Sequence, residues 1–159
     1  MFRSGSVAVY NGDKILHLGA KAEYVHNLVD DLFKWGESSE VNPLIKSSVI
    51  HYEIETIHPF ADGNGRIGRL WQSVILYNYN KLFELIPIET LIYENQQKYY
   101  QAIEDSRKVN SSTTFIGFML VVAIKSPVGL YILLLNVMFP LASLNIDGKL
   151  SSIVKSNNL

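Results

Sequence analysis

The residues of this chain best suited to phosphate chemistry lie in one stretch, HPFADGNGRIGR, from His58 to Arg69. Gly63 and Gly65 stand between a histidine on one side and two arginines on the other. Glycines let the backbone approach a ligand closely and turn its N–H groups outward. A helix beginning at Arg66 would add unpaired N–H groups and a partial positive charge, which attract anions. The stretch therefore indicates an anion site.

The polar side chains of the stretch fit a transfer reaction on a polyphosphate. Arg66 and Arg69 lie three residues apart, on one face of the first helical turn, where cations oppose the helix dipole but suit phosphates. Asp62 has no obvious partner unless Mg²⁺ bridges it to the phosphates, and Asn64 offers an amide to a phosphate oxygen. His58 can accept a proton from an attacking hydroxyl near neutral pH. The set predicts phosphotransfer or nucleotidyl transfer.

Other interpretations of the glycines are weaker but remain open at this point. Gly63, Gly65 and Gly68 also satisfy G-x-G-x-x-G, a dinucleotide-binding pattern that requires a preceding strand and a βαβ unit. The preceding segment, Pro43 to Ile57, is capped like a helix and is longer than most strands. No Gly-Lys-Ser/Thr ends the loop, so a P-loop is excluded. The simplest alternative is a tight turn between two helices.

The composition describes one globular domain. The chain has 159 residues, 48% of them hydrophobic and 18% charged, which is typical of a folded protein with a core. Fourteen basic and fifteen acidic residues give a net charge of −1, so nothing favours a nucleic-acid partner. There is no cysteine, and no apolar segment of a secretory signal follows the first residues. We expect a soluble, cytoplasmic protein.

The segment from Ser126 to Ile146 stands apart, because its 21 residues carry no formal charge. The length would span a bilayer, but two prolines, a glycine and two asparagines interrupt it. We interpret it as a buried terminal helix, with membrane association as the alternative. Residues 151–159 are expected to be a frayed tail.

The pattern of the remaining chain predicts a β-hairpin followed by helices. Asn11-Gly12 between two apolar runs is a strong hairpin signal. Amphipathic spacing and capping residues predict the helices that follow. They are Lys21–Trp35 with Gly36 as its stop, Pro43–Ile57, Arg66–Tyr79, Glu89–Arg107 and a helix from Phe115. The fold class is all-α with one hairpin at the start.

The stretch HPFADGNGRIGR resembles the signature of the Fic (Fido) family, H-x-F-x-[D/E]-G-N-G-R-x-x-R, at every defined position. Val7 to Leu18 resembles the family's target-docking hairpin, and Asn95 to Ile103 resembles the helix after its motif. The resemblance implies a Fic-type helical bundle with a small hairpin. It places a Fic domain at residues 2–125, with the hairpin at 7–18 and the active-site loop at 58–65. It leaves the role of residues 126–159 open.

The resemblance also implies a function. Proteins of this type transfer AMP from ATP to a Ser, Thr or Tyr hydroxyl of a target protein, with Mg²⁺ as cofactor. His58 would be the general base, Asp62 would bind Mg²⁺, and Phe60 would anchor the loop in the core. The nucleotide-binding residues would be Gly63, Asn64 and Gly65 as an anion hole, and Arg66 and Arg69 on the outer phosphates. The target would pair with the hairpin at Tyr10, Asn11, Gly12, Lys14 and Ile15.

Regulation and reaction type remain open in the sequence. Thr90 to Asn95 matches [S/T]-x-x-x-E-[G/N], the family's inhibitory pattern, whose glutamate would bind Arg69. Its position after the core motif indicates coincidence, so inhibition could come from a partner chain. Transfer of another nucleotide or a phosphate is an alternative, although Gly63 and Gly65 argue against the phosphorylating Doc-type relatives. A non-catalytic nucleotide-binding fragment is the third interpretation.

A few further residues have structural interpretations. His51 lies about 10 Å from His58 along one helix and is predicted to be structural rather than a metal ligand. His17 and His26 are predicted to be surface residues of the hairpin and the first helix. Tyr99 and Tyr100 fit core positions, with the border of an adenine pocket as the alternative.

Overall fold

The computed structural model describes residues 1–11 and 13–131, which form a helical domain with one hairpin. Two antiparallel strands, β1 (Ala8–Asn11) and β2 (Lys14–Leu18), come first. The helices follow as α1 (Ala22–Ser38), α2 (Pro43–Ile57), α3 (Asn64–Tyr79), α4 (Ile88–Glu94), α5 (Gln96–Lys108) and α6 (Thr113–Lys125), with a 3₁₀ turn at Lys81–Leu85. The all-α class with a small hairpin is confirmed.

Helix α2 lies at the centre of the domain. Asn42 caps it, accepting a hydrogen bond from the Leu44 backbone N at 2.9 Å, and Pro43 occupies the first turn. Apolar residues surround this helix, as expected for a helix that is buried on most sides. Ile50, Ile54 and Ile57 pack with α1, whereas Tyr52 belongs to a second cluster with the later helices. One helix therefore joins two parts of the core.

Two glycines explain how closely the other helices approach α2. A Cβ on Gly68 of α3 would lie 2.4 Å from His51 Cδ2, so no side chain fits there. Gly36 lies within α1 and does not end it, which corrects the prediction of a stop at this position. A Cβ on Gly36 would lie 2.9 Å from Ile50 Cδ1 of α2, so this glycine also serves helix packing.

Two other predictions about the helices change. The single helix predicted at Glu89–Arg107 is divided at Asn95 into α4 and α5. The Asn95 side chain donates to the Leu91 carbonyl at 2.8 Å, a local bond with which asparagine competes with the regular helical ladder. Helix α3 begins at Asn64, two residues earlier than predicted.

The apolar segment predicted at Ser126–Ile146 is described only in part. Residues 127–131 are helical, and residues 132–159 lie outside the described residues. None of the described helices has both the length and the apolar content that a bilayer crossing needs.

The packing of Gly68 gives a test of the fold. We expect Gly68→Ala to lower the free energy of unfolding by about 1–3 kcal/mol, because its methyl group overpacks the buried His51 ring. Gly117→Ala is the matched control: Gly117 lies within α6 and nothing approaches its Cβ position within 4 Å. The free energy of unfolding of this variant should rise by about 0.5–1 kcal/mol, because alanine has a higher helix propensity than glycine. Urea unfolding measures both, and equal effects of the two substitutions would contradict the packing of α3 on α2.

Candidate active site

His58 ends α2 in a left-handed backbone conformation, with φ of +55°. This conformation is uncommon for a residue with a side chain, and surrounding contacts hold it in place. Arg3 provides several of them: its Nε donates to the His58 carbonyl at 2.6 Å, and its backbone N donates to the Pro59 carbonyl at 3.0 Å. The Arg3 guanidinium also binds the carbonyls of Ala20 and Ile57. A residue 55 positions away thus fixes the backbone at His58.

The side chain of His58 has one ring nitrogen directed to its own helix. Its Nδ1 lies 3.4 Å from the carbonyl of Glu55, and because a carbonyl only accepts, this long contact favours the proton on Nδ1. The opposite nitrogen, Nε2, is then the acceptor. This is the tautomer that a general base requires.

His17, predicted as a surface residue of the hairpin, contacts the active site instead. Its Nε2 donates to the Thr56 carbonyl at 2.7 Å, and its ring centre lies 6.3 Å from that of His58. Burial, with the nearby Arg107 charge, lowers the pKa of His17 to about 4. A neutral His17 therefore joins β2 to the last turn of α2, a role that the surface interpretation missed.

The Asn64 side chain shapes the loop from within. It is 2% exposed, its Oδ1 accepts from the Phe60 backbone N at 2.8 Å, and its Nδ2 donates to the Phe60 carbonyl at 2.9 Å. The loop thus engages both polar atoms of this amide, and its contact with a phosphate oxygen stays a prediction. The backbone N–H of Asn64, in the first turn of α3, could bind the same anion.

Phe60 is half-buried and lies outside the two core clusters of the described residues. Its ring packs on that of Phe2, with 5.5 Å between the ring centres, and Phe2 in turn packs on His26. The predicted anchor in the core is therefore an anchor on the N-terminal segment. His26 itself is exposed on α1, as predicted.

Both loop glycines lie where a side chain would clash with charged groups. Gly63 has φ of +87° and precedes α3, and a Cβ there would lie 3.3 Å from Arg66 Nη2. A Cβ on Gly65 would lie 2.8 Å from Glu55 Oε1 and 3.0 Å from Arg69 Nη1. The glycines thus leave the start of α3 open to a ligand between these side chains.

Each loop arginine has an acidic partner. Arg66 Nη2 lies 3.1 Å from Asp62 Oδ2, in a pair that is largely exposed. Arg69 Nε donates to Glu89 Oε1 at 3.0 Å, and its side chain is only 18% exposed. The acid that binds Arg69 is thus Glu89 of the first turn of α4, whereas the pattern at Thr90–Asn95 would have assigned Glu94. This agrees with the interpretation of that pattern as coincidence.

These residues line one cavity of about 400 Å³. His58 and the loop from Ala61 to Arg66 form one side, together with Arg69 of α3. The other sides come from the hairpin and from α2 and α5, through Val7, Ala8, Val9, Glu55, Tyr99 and Tyr100. The predicted base, metal ligand and phosphate-binding residues therefore meet at one site.

The predicted docking residues belong to the hairpin. Ile15 is half exposed and pairs with Tyr10, Asn11 pairs with Lys14, and Gly12 lies outside the described residues.

A chain of buried polar side chains lies behind the cavity. Glu55 Oε1 accepts from the Tyr99 hydroxyl at 2.7 Å, and that hydroxyl is 3.0 Å from His51 Nε2. His51 Nδ1 donates to Gln72 Oε1 at 2.7 Å, and Gln72 Nε2 donates a hydrogen bond to Ser48 Oγ at 3.5 Å. Burial and then the Glu55 charge raise the pKa of Tyr99 well above its usual value. His51 is thus structural, as predicted, and no cluster of three His, Asp or Glu side chains suited to a metal occurs among the described residues.

Fold and site together define a helical domain in which a histidine and the glycine-bounded start of a helix share one cavity with a hairpin. Residues 2–76 match the family model described as Fic/DOC family. A solved structure of a Fic family protein from Desulfovibrio desulfuricans G20 has a TM-score of 0.71 and 42% identity, over 76% of this chain and 37% of that chain. The family match, over just under half of the chain, and the structural neighbour support a Fic domain in this protein.

Curated relatives carry names that describe an activity. A probable protein adenylyltransferase from Aquifex aeolicus is 32% identical over 85 residues, which are 53% of this chain and 24% of that protein. The protein adenylyltransferase fic-1 of Caenorhabditis elegans is 31% identical over 84 residues, which are 51% of this chain and 16% of that protein. The chain thus matches a quarter or less of each. These names support a Fic-family nucleotidyltransferase at a coarse level.

The buried His51 gives a test of the hydrogen-bonded side chains behind the cavity. Burial lowers the pKa of His51 from 6.5 to about 4, whereas an unfolded chain takes up this proton near pH 6.5. The stability from a neutral His51 is therefore present above pH 6.5 and is lost as the pH falls toward 4. We expect the free energy of unfolding to fall by about 2 kcal/mol per such histidine between pH 7 and 5.

Urea unfolding at several pH values measures this loss in wild type, in His51→Gln and in the control His26→Gln. The free energy of unfolding should depend less steeply on pH in His51→Gln, although His17 retains part of the dependence. In His26→Gln the dependence should be unchanged. An unaltered slope in His51→Gln would show that His51 does not carry the effect.

The ion pair between Arg69 and Glu89 predicts an effect on anion binding. Glu89→Gln removes the charge that competes with an anion for Arg69, so pyrophosphate should bind roughly two- to fivefold more tightly. Glu94→Gln makes the same charge change at the other end of α4 and should leave the affinity nearly unchanged. Calorimetry at low ionic strength measures both. A larger gain in Glu94→Gln would assign the inhibitory role to the sequence pattern at Thr90–Asn95.

Proposed function

We propose that this protein transfers AMP from ATP to a Ser, Thr or Tyr hydroxyl of a target protein, with His58 as the general base. The observation that carries the proposal is the position of His58 in one cavity with the loop glycines, Arg66 and Arg69. An anion site beside a basic nitrogen suits transfer of a phosphoryl-containing group to a hydroxyl. The names of the adenylyltransferase relatives support AMP as the transferred group.

The reaction joins the hydroxyl oxygen to the α-phosphorus and breaks the bond to pyrophosphate. The hydroxyl proton goes to Nε2 of His58, whose other nitrogen faces the Glu55 carbonyl. Most of the rate gain in such chemistry comes from positioning and from stabilising charge on the phosphates. The backbone N–H groups of Gly63, Asn64 and Gly65 would bind the inner phosphates, and Arg66 and Arg69 the outer ones.

Mg²⁺ fits this site only together with the nucleotide. Asp62 is a single carboxylate, its side chain is 92% exposed, and it lies in the cavity beside the phosphate-binding residues. Mg²⁺ commonly takes one or two carboxylates and completes its shell with phosphate oxygens and water. Asp62 would hold the ion on the phosphates, where the ion neutralises their charge. The present partner of Asp62 is Arg66, at 3.1 Å.

A second cavity of about 250 Å³ continues from the first and would hold the nucleoside. Val9, Glu55 and Tyr100 line both cavities, and Gln97, Gln101, Ile103, Glu104 and Arg107 complete the second among the described residues. Tyr100 is 51% exposed, which favours the border of a binding pocket over a core position for this tyrosine. Tyr99, 2% exposed, is a core residue as predicted.

The hairpin would hold the target beside His58. Val7, Ala8 and Val9 line the phosphate cavity, and β1 pairs only with β2 among the described strands. An extended target segment could therefore add to the sheet through backbone hydrogen bonds, which would place its hydroxyl near the base. The residues expected to dock it are Tyr10, Asn11, Gly12, Lys14 and Ile15.

Labelling separates the reaction from its alternatives. We expect α-labelled ATP with Mg²⁺ to label protein in a cell lysate, and His58→Ala to lower the rate by roughly 10²–10⁴-fold because the base is lost. His26→Ala, at an exposed histidine of α1, should label like wild type. Label from γ-labelled ATP would indicate phosphate transfer, and equal labelling by His58→Ala would exclude His58 as the base. Nucleotide binding without any labelling of protein would indicate a non-catalytic nucleotide-binding module.

A further inference from the structure

We infer that Glu55 binds a ribose hydroxyl of the nucleotide and thereby selects ribonucleotides over deoxyribonucleotides. The inference rests on the proposed function in one respect, that a nucleotide occupies the two joined cavities. It does not depend on which group is transferred or on which protein receives it.

The position of Glu55 places its carboxylate at the junction of the two cavities. Glu55 lines both of them, and its Oε1 lies 2.8 Å from the point where a Cβ on Gly65 would stand. The phosphate-binding loop is on one side of this point, and the second cavity, with Gln101 and Glu104, is on the other. In a nucleotide, the sugar is the part that connects phosphates to base, so the sugar passes Glu55.

The carboxylate is also held in place before any ligand arrives. The Tyr99 hydroxyl donates to Oε1 at 2.7 Å, and Tyr99 is itself fixed by its contact with His51. The Glu55 backbone is fixed as well, because Arg107 Nη2 donates to its carbonyl at 3.0 Å. A group that is positioned in advance loses little freedom on binding, which favours selectivity.

The chemistry of a carboxylate determines which part of the ligand it accepts. An ionised carboxylate only accepts hydrogen bonds, so it repels phosphate oxygens and attracts hydroxyl groups. Acidic side chains bind ribose hydroxyls in the same way in dinucleotide-binding folds. Arg69 Nη1 lies 3.0 Å from the same Cβ position of Gly65, and its positive charge attracts the phosphates. The pair therefore orients the nucleotide, with the phosphates toward Arg69 and the sugar toward Glu55.

A purely structural role for Glu55 would make a different prediction. If the carboxylate only neutralised Arg69 or supported Tyr99, its loss would change the affinity for every nucleotide by the same factor. A bond to a ribose hydroxyl instead makes the effect depend on whether that hydroxyl is present. The coupling between the residue and the ligand group separates the two roles.

The test measures dissociation constants by calorimetry for ATP, 2′-deoxy-ATP and 3′-deoxy-ATP, with the wild type, Glu55→Gln and Glu55→Ala. We expect the wild type to lose roughly tenfold or more in affinity when the bound hydroxyl is removed, since its partner is a charged group. In Glu55→Ala this loss should shrink to less than about twofold, with Glu55→Gln between the two. Thermal unfolding checks that each variant is folded, and the nearly isosteric Glu55→Gln guards against failure of the alanine variant.

Glu94→Gln is the matched control, because Glu94 is exposed and lines neither cavity. It should keep the full preference for ATP. The same deoxy penalty in wild type and in both Glu55 variants would overturn the inference while leaving the proposed function intact. A shift of the preference in Glu55 variants without any transfer of AMP would support the inference and remove the proposed function. Failure of the wild type to bind ATP would overturn both.

Discussion

The close contact between α2 and α3 is the constraint on which the rest of this structure depends. Gly68 leaves room for the His51 ring, whose Cδ2 would be only 2.4 Å from a Cβ at that position. With the two helices in contact, the few residues between Ile57 and Asn64 must turn tightly. The turn places His58, at the end of one helix, beside the start of the next, where backbone N–H groups are unpaired. Helix packing thus makes neighbours of the proposed base and the proposed anion site.

Charge in the site is balanced before a ligand binds. Arg66 lies in the first turn of α3, where the helix dipole disfavours cations, Arg69 lies in the second turn, and each is paired with an acid. A polyphosphate would replace these acids at both arginines, so its binding exchanges partners rather than neutralising free charges. The released acids differ: Asp62 is in the loop, available to a cation, whereas Glu89 belongs to another helix. The affinity for an anion is therefore the difference between two sets of ion pairs.

Local signals explain which features could be predicted from the sequence. The bounds of α2 follow from the Asn42 cap and Pro43, and the motif residues gather because the loop is short. The features that were missed depend on partners far along the chain. Arg3 contacts His58 across 55 positions, and the Tyr99 hydroxyl reaches Glu55 across 44. No periodicity or capping rule encodes such pairs, or the two hydrogen bonds between the Asn64 amide and the Phe60 backbone.

The buried chain from Ser48 to Glu55 has a direction as well as a set of contacts. His51 Nδ1 donates to Gln72 Oε1 at 2.7 Å, so a neutral His51 presents an unprotonated Nε2 to the Tyr99 hydroxyl, whose proton is donated to Glu55 Oε1. The Tyr99 hydroxyl has one proton and two acceptors, Glu55 Oε1 at 2.7 Å and His51 Nε2 at 3.0 Å, so these two atoms compete for the proton. One hydroxyl therefore couples the buried histidine to the carboxylate at the edge of the cavity. A ligand that donated a hydrogen bond to Glu55 would weaken its hold on this proton and shift it toward His51, without displacement of either helix.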